Sequence, residues 1–439
     1  MATLFQSRAA RCLPVRPARL GSRYPSPRLQ HRKIWTARTL VTDNAQDLLK
    51  AVPSDESISK CNVALFTISR NVPRDALSGL VDRFQNMPMP AIGCLSLGSD
   101  GNSGPYSLSY AFHESPSDRL EMIVPFRSTI TGTPKISVGR EVGRMEKRPE
   151  TMEWAGDDSV VPSKLPSDLA SLNSRFVENI FYFTDDQPQG LMRTLDTHLK
   201  EVTKTGLIAS PTPFATGRPH TLFSGKDIYS DGAVGIAICR YPKQFESSKD
   251  LKVSYEGLEP LGGPLEVTAC KGNIILEVAS ANATRTLLER IQANVASAIT
   301  KDLGFYLGIL PENLSEASVD QMLSVRPIIA GDPSRGALSL DTEANIRKGQ
   351  RIQFFHTPKK RAGLRLSPSA AFMRDSTPND RPAMIFQSDS DPDALKMVDS
   401  AQRSSDNFVA MSEQGFIVGR PSETSWICQV DGGQGDVKI

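Results

Sequence analysis

Twice in this chain an apolar run, a stripe of apolar residues at helical spacing and a second apolar run follow one another through short joints. Two such runs joined by a helix are the signature of a parallel crossover. The first passage is Asn62–Ser69 (NVALFTIS), a helix entered through Pro73 with Ala76, Leu77, Leu80, Val81 and Phe84 on one face, and Ala91–Leu97 (AIGCLSL). The second is Asn179–Thr184 (NIFYFT), a helix capped by Asp185 or Asp186 that buries Leu191, Met192, Leu195 and Leu199, and Thr205–Ser210. They predict an α/β to α+β fold of mixed sheets with helices packed on them.

Other stretches alternate as antiparallel strands do. Tyr106–His113 and Leu120–Phe126 are expected to pair with each other. Leu222–Arg240 is expected to form a hairpin turning at Asp231-Gly232, because Gly tolerates the positive φ of a tight reversal. Lys271-Gly272 marks a second hairpin between Leu265–Cys270 and Asn273–Val278. A helix capped by Ser280, with Leu287, Leu288, Ile291, Val295, Ala298 and Ile299 in one stripe, then anchors a second core. Short strands follow at Val325–Ala330, Ala337–Leu340, Arg351–His356, Ala383–Gln387, Gly415–Val418 and Trp426–Val430, with a helix over 393–400. This pattern predicts two mixed-sheet domains, 43–255 and 256–439. A polar insertion at 140–166 lies in the first and a disordered basic loop at 359–382 in the second.

Charge is distributed unevenly along the 439 residues. Residues 1–42 hold nine basic side chains, from Arg8 to Arg38, and no acid. Setting those nine aside leaves 42 basic against 49 acidic residues, an excess of seven negative charges that argues against a nucleic-acid partner. An Arg-, Ser- and Ala-rich segment without acids has the composition of a mitochondrial presequence, so 1–42 is predicted to be one, cleaved between Trp35 and Val41, with the matrix as destination. No apolar run reaches the 18 residues or so that a membrane helix needs. Six widely spaced cysteines form no CxxC pair, which suits buried thiols better than a disulfide framework.

The chain carries no GxxxxGK[ST] loop, no GxSxG elbow and no dinucleotide fingerprint. Its histidines, His31, His113, His198, His220 and His356, never fall two or four apart, so neither a metal nor a cofactor is expected. Cys94 follows a glycine at the end of a strand, where ligands often bind in α/β proteins.

Five stretches in order, AIGCLSLG (91–98), LFSGKDIYSDGAVGIAI (222–238), GPLEVTACKGNIILEVASANATRTLLERI (263–291), RPIIAGDPSRGALSL (326–340) and KGQRIQFFHTP (348–358), resemble the FIST family, with its N- and C-terminal domains. The resemblance implies a sensory or ligand-binding module, with amino acids among the suggested ligands, and no known reaction. On its motifs, Cys94, Ser96, Ser224, Asp231 and Arg326 are the expected ligand-binding residues. Gln387, Ser388 and Asp389 depart from it, standing where bacterial members have a Cys and an Arg-Gly pair. The expectation is thus a non-catalytic small-molecule-binding or sensory protein of the mitochondrion. A protein-interaction or assembly factor using the same fold is the alternative, and an unrecognised hydrolase or transferase the third reading.

Overall fold

A computed structural model describes residues 35–53, 58–97, 105–114, 120–130, 164–241, 251–255, 258–294, 304–311, 322, 324–332, 336–340, 346–357, 382–389 and 403–438. The expected insertion falls almost wholly outside these residues. So do the basic loop, apart from its last residue, and the helix over 393–400.

Three copies of one four-strand plan account for twelve of the 25 strands among the described residues. Unit I is β1 (Trp35–Thr42), α1 (Ala45–Ala51), β2 (Cys61–Ser69), α2 (Arg74–Gln85), β3 (Ala91–Ser96) and β4 (Tyr106–Glu114). Its strands stand in the order β1-β4-β2-β3, with only β2 and β3 parallel. Unit II is β5 (Leu120–Ser128), α3 (Ser167–Ala170), β6 (Val177–Thr184), α4 (Gln189–His198), β7 (Thr203–Ile208), a hairpin of β8 (Leu222–Ser224) and β9 (Asp227–Tyr229), and β10 (Ala233–Tyr241). Its order β5-β10-β6-β7, with β6 and β7 parallel, repeats the first.

Unit III begins with β11 (Leu251–Tyr255), is interrupted by residues 258–357, and resumes with β20 (Ala383–Ser388), β21 (Arg403–Ser405), β22 (Phe408–Ser412), the hairpin β23 (Phe416–Gly419) and β24 (Trp426–Cys428), and β25 (Gly433–Lys438). The order β11-β25-β20-β22, again with a single parallel pair, gives a third sheet of the same plan.

The hairpins tie the units together. β8 and β9 arise in unit II but pair onto β3 of unit I, and β23 and β24 arise in unit III but pair onto β7 of unit II. β21 likewise adds to β1. The chain after 403 therefore crosses back over the boundary expected near 255, and residues 33–439 form one compact unit.

The interruption in unit III is β12 (Glu259–Pro260), β13 (Leu265–Lys271), β14 (Ile274–Val278), β15 (Ala281–Asn282), α5 (Ala283–Asn294), β16 (Phe305–Ile309), β17 (Ser324–Asp332), β18 (Ala337–Leu340) and β19 (Arg351–His356). Six of its strands close into an antiparallel ring, because β16 pairs with both β17 and β19. Ala283, Leu287 and Ile291 of α5 join its core.

Alternation along the strands sorts the apolar side chains into layers. Leu65 and Cys94 of sheet I, Phe181 and Ile236 of sheet II, Val253 and Phe386 of sheet III, and Tyr306 and Phe355 of the ring share one central core. The opposite face of sheet I buries Phe66 and Ala64 under α1 and α2, and that of sheet II buries Tyr182 and Ile180 under α4. Each fully buried large side chain contributes roughly 1.5–3 kcal/mol. With 25 strands and five helices among the described residues, the fold is mostly sheet, and helices cover only part of it.

Several local expectations are corrected. β4 and β5 do not pair, since β4 lies between β1 and β2 while β5 borders β10. The tight turn of the 222–240 stretch is at Gly225 (φ 59), between Ser224 and Asp227; Asp231-Gly232 instead carries the chain from sheet I to sheet II. Gly232 does take a positive φ of 67, and its N–H donates to Asp185 Oδ2 at 2.6 Å. Asp185 thus forms a local turn with Gln187 N and latches that crossing, while Pro188 stands at the helix N-cap. Asn282, not Ser280, caps α5 by accepting from Arg285 N at 2.9 Å. β1 is a buried strand inside sheet I, with Trp35 only 2% exposed, so a leader ending at 42 would remove part of the fold.

Candidate functional site

The repeated plan brings three strand ends together. β3, β7 and β22 are the second strands of the three parallel pairs, and their carboxyl ends meet. Leu97 N donates to Met411 O at 2.9 Å, Ser210 N to Leu95 O at 3.0 Å, and Ile208 N to Gly415 O at 3.2 Å. In open α/β sheets ligands bind outside such ends, where apolar strand residues give way to polar loop residues.

One carboxylate joins all three units at this junction. Glu413, just after β22, accepts from Arg70 Nη1 of unit I on one oxygen and from Ser210 Oγ of unit II, at 2.6 Å, on the other. The Arg70 and Glu413 side chains are 24% and 19% exposed, so solvent reaches both. Beside them Ser69 and Ser96 stand in register on the parallel pair β2 and β3. Arg70 N donates to Ser96 O, Ser69 Oγ accepts from Ser107 N at 2.9 Å, and Asn71 Nδ2 donates to Pro105 O.

The chain between β7 and β8 leaves this junction and returns to it. Ser210 begins it, and Thr221 ends it by accepting from Leu95 N at 3.1 Å. Hydroxyls of Thr212 and Thr216 both lie within hydrogen-bond distance of Thr221 Oγ1, at 2.7 and 2.8 Å, and Thr212 N donates to Pro219 O. That clamp fixes His220, which is buried and whose Nε2 has no hydrogen-bond partner.

Of the five residues expected from sequence, the junction contains Ser96. Cys94 lies two residues earlier, fully buried in the central core, and burial pushes its thiol well above the ordinary value. Such a thiol is a packing group and a poor source of thiolate. Ser224 closes the β8–β9 turn opposite Asp227. Asp231 is 73% exposed and pairs with Arg127 at 2.9 Å. Arg326 lies in the ring on β17, with its guanidinium 5.5 Å from the centre of the Trp426 ring. Arg70, Ser210 and Glu413 were not singled out by sequence, and His220 was read only as a histidine without metal-ligand spacing, although each lies within a residue or two of an apolar run expected to be a strand.

Two further charged clusters hold units together. His113, Glu121, Arg240 and Glu178 link β4 to sheet II, with His113 Nε2 2.7 Å from Glu121 Oε1 and Arg240 within 3.0 Å of both glutamates. Burial works to raise the Glu121 carboxyl, but the hydrogen bond with His113 and the charge of Arg240 outweigh it and hold the group below its usual value. In the second cluster Asp196 of α4 pairs with buried Lys204 of β7 at 3.0 Å and accepts from Ser425 N and Oγ. Among the described residues no three His, Cys, Asp or Glu side chains are grouped to hold a metal, and no helix is long and apolar enough to cross a membrane.

No curated protein sequence matches the chain. The family model described as the FIST N domain matches residues 62–280, which include unit II and β2 to β4 of unit I. Through that match the chain is similar to the FIST family over the strands that supply two of the junction's three sides.

Proposed function

We propose that this chain is a non-catalytic small-molecule-binding or sensory protein of the mitochondrion, and that it holds a zwitterionic metabolite of the amino-acid class at the junction. FIST domains are generally described as sensory or ligand-binding modules of signal transduction, which supports the first half of this reading. The observation that carries the second is the Arg70–Glu413 pair. A zwitterion presents both complements to such a pair: its carboxylate takes the guanidinium in a fork-like contact and its ammonium takes the carboxylate. Since Arg70, Ser210 and Glu413 belong to three units, exchanging their mutual bonds for bonds to a ligand couples occupancy to the fit of the units.

A thermal-shift screen of the twenty amino acids tests this. One class should stabilise the protein by about 2.7 kcal/mol at a hundred times its Kd, and Arg70→Ala should abolish the effect. Silence across the set overturns the reading. For the location, a leader must end before the buried strand β1, so residues 1–34 should carry a fused reporter into mitochondria. A cytosolic reporter would remove the mitochondrial part alone.

A specific observation also favours the second reading, a protein-interaction or assembly factor. Phe214 is 98% exposed on the clamped loop between β7 and β8. An exposed aromatic on such a loop is a ready anchor for a protein surface.

A further inference from the structure

We propose that the loop between β7 and β8 is the reporting element of the junction: it shifts as one body when a ligand parts Ser210 from Glu413, and so changes the setting of Phe214. This inference rests on the reading of the junction above. Both ends of the loop are pinched on a single residue of unit I, since Ser210 N donates to Leu95 O at 3.0 Å and Leu95 N donates to Thr221 O at 3.1 Å. A surface segment with its ends closed together and packed by its own side chains is an Ω-loop, a form that frequently carries function. The base of this one is the junction itself. Ser210 Oγ donates to Glu413 Oε2 at 2.6 Å, and two residues beyond Leu95 the amide of Leu97 donates to Met411 O.

Within itself the loop is closely bonded. Thr212 N donates to Pro219 O, and Ala215 N and Thr216 N both donate to Thr212 O. Thr212 Oγ1 donates to Arg218 O at 3.1 Å, and the hydroxyls of Thr212 and Thr216 stand 2.7 and 2.8 Å from that of Thr221. Pro211, Pro213 and Pro219 fix three of its φ angles. Outward it is held far less: Pro213, Phe214, Gly217, Arg218 and Pro219 are exposed, and the tie from Arg218 Nη1 to Ser230 Oγ stands in solvent. A segment bonded within and anchored at its base answers a change at that base by moving as a unit. The base changes on occupancy, because the bonds that Arg70, Ser210 and Glu413 make to one another are the ones a zwitterion replaces. That difference in bonding is what couples ligand to loop. Phe214, 98% exposed, is the side chain whose surroundings record the shift, and its apolar ring suits a contact that the shift makes or breaks.

Phe214→Trp in the full chain tests this, because a side chain so exposed is exchanged without disturbing a core. The unmodified chain, with Trp35, Trp154 and Trp426, supplies the background to subtract. Each of the twenty L-amino acids is added singly, and melting temperature and acrylamide quenching are read on the same sample. An amino acid that raises the melting temperature should also change the quenching of the introduced tryptophan. Thr216→Val in the same background removes the hydroxyl contacts to Thr212 and Thr221. It should abolish the quenching change while the rise in melting temperature remains. A rise with unchanged quenching overturns this inference alone, and Phe214→Trp by itself suffices to show it should the double variant fail to fold. A quenching change that survives in the folded double variant also overturns it, since the loop then does not move through its clamp. No rise with any of the twenty overturns it together with the reading on which it rests.

Discussion

Phe66 and Tyr182 occupy the same place in their respective units, and the comparison shows what two copies of one plan can do with one position. Each lies in register with a glycine on the parallel neighbour, Gly93 and Gly206. A Cβ there would come within 2.5 Å of Phe66 O and 2.8 Å of Tyr182 O, so both sites require a residue without one. Around them the chemistry diverges. Phe66 stacks on Phe84 at 4.1 Å in an apolar layer, whereas burial, and then the charge of Asp196, push the Tyr182 hydroxyl well above its usual pKa. Two residues before the glycine, unit I has Ala91 and unit II has Lys204, fully buried and paired with Asp196. A buried pair of this kind is weak evidence of net stability, since desolvation offsets much of the attraction, but breaking it strands a charge. Asp196→Ala, which strands the fully buried ammonium, should therefore cost about 3–5 kcal/mol, while replacing both partners, Lys204→Met with Asp196→Leu, should be neutral or stabilise by about 1–4 kcal/mol. Urea unfolding curves measure both. A double variant as unstable as Asp196→Ala alone would show that the pair does more than neutralise its own charges.

At the scale of elements, alternation in the sequence revealed faces but not partners. The Lys271-Gly272 hairpin was legible because its partners are adjacent in the chain, and Gly272 has the required positive φ of 60. The two parallel pairs were legible because a short helical joint leaves little other choice. The partners of β4 and β5 were not, since β4 reaches back to β1 and β5 reaches forward to β10. The site shows the same limit: Ser96 could be read as a strand end, but Arg70 and Glu413 are 343 residues apart, and neither signals the other. Nor could the sequence show how sheet III ends. Sheets I and II each receive a hairpin beyond their parallel pair, while the outer edge of β22 is met by side chains. Thr39 Oγ1 accepts from Val409 N and donates to Asn407 O, both at 2.8 Å, and Ser109 Oγ donates to Val409 O. Two hydroxyls and the Leu97 amide thus take the place of a neighbouring strand, satisfying an edge that would otherwise be open to pairing.

For the molecule as a whole, the exchanged hairpins decide what can fold alone. An N-terminal piece ending at 255 would contain units I and II in sequence but not in structure. It would lack β21, and β23 with β24, leaving the edges of β1 and β7 bare. It would also lose Met384, Phe386, Phe408, Phe416, Val418 and Trp426 from the central core. At roughly 1.5–3 kcal/mol each, those six side chains represent about 9–18 kcal/mol, as much as the whole stability of a typical domain, about 5–15 kcal/mol. Residues 33–255 expressed alone should therefore aggregate or lack a cooperative thermal transition, and co-expression with 256–439 should rescue them by supplying the missing strands in trans. If 33–255 instead remains monomeric and melts cooperatively near the temperature of the full chain, the late strands are attachments rather than parts of the first two sheets. The same experiment bears on the junction, because only the rescued pair would contain both Arg70 and Glu413. Amino-acid-dependent stabilisation should reappear with the second fragment and be lost again when that fragment carries Glu413→Ala.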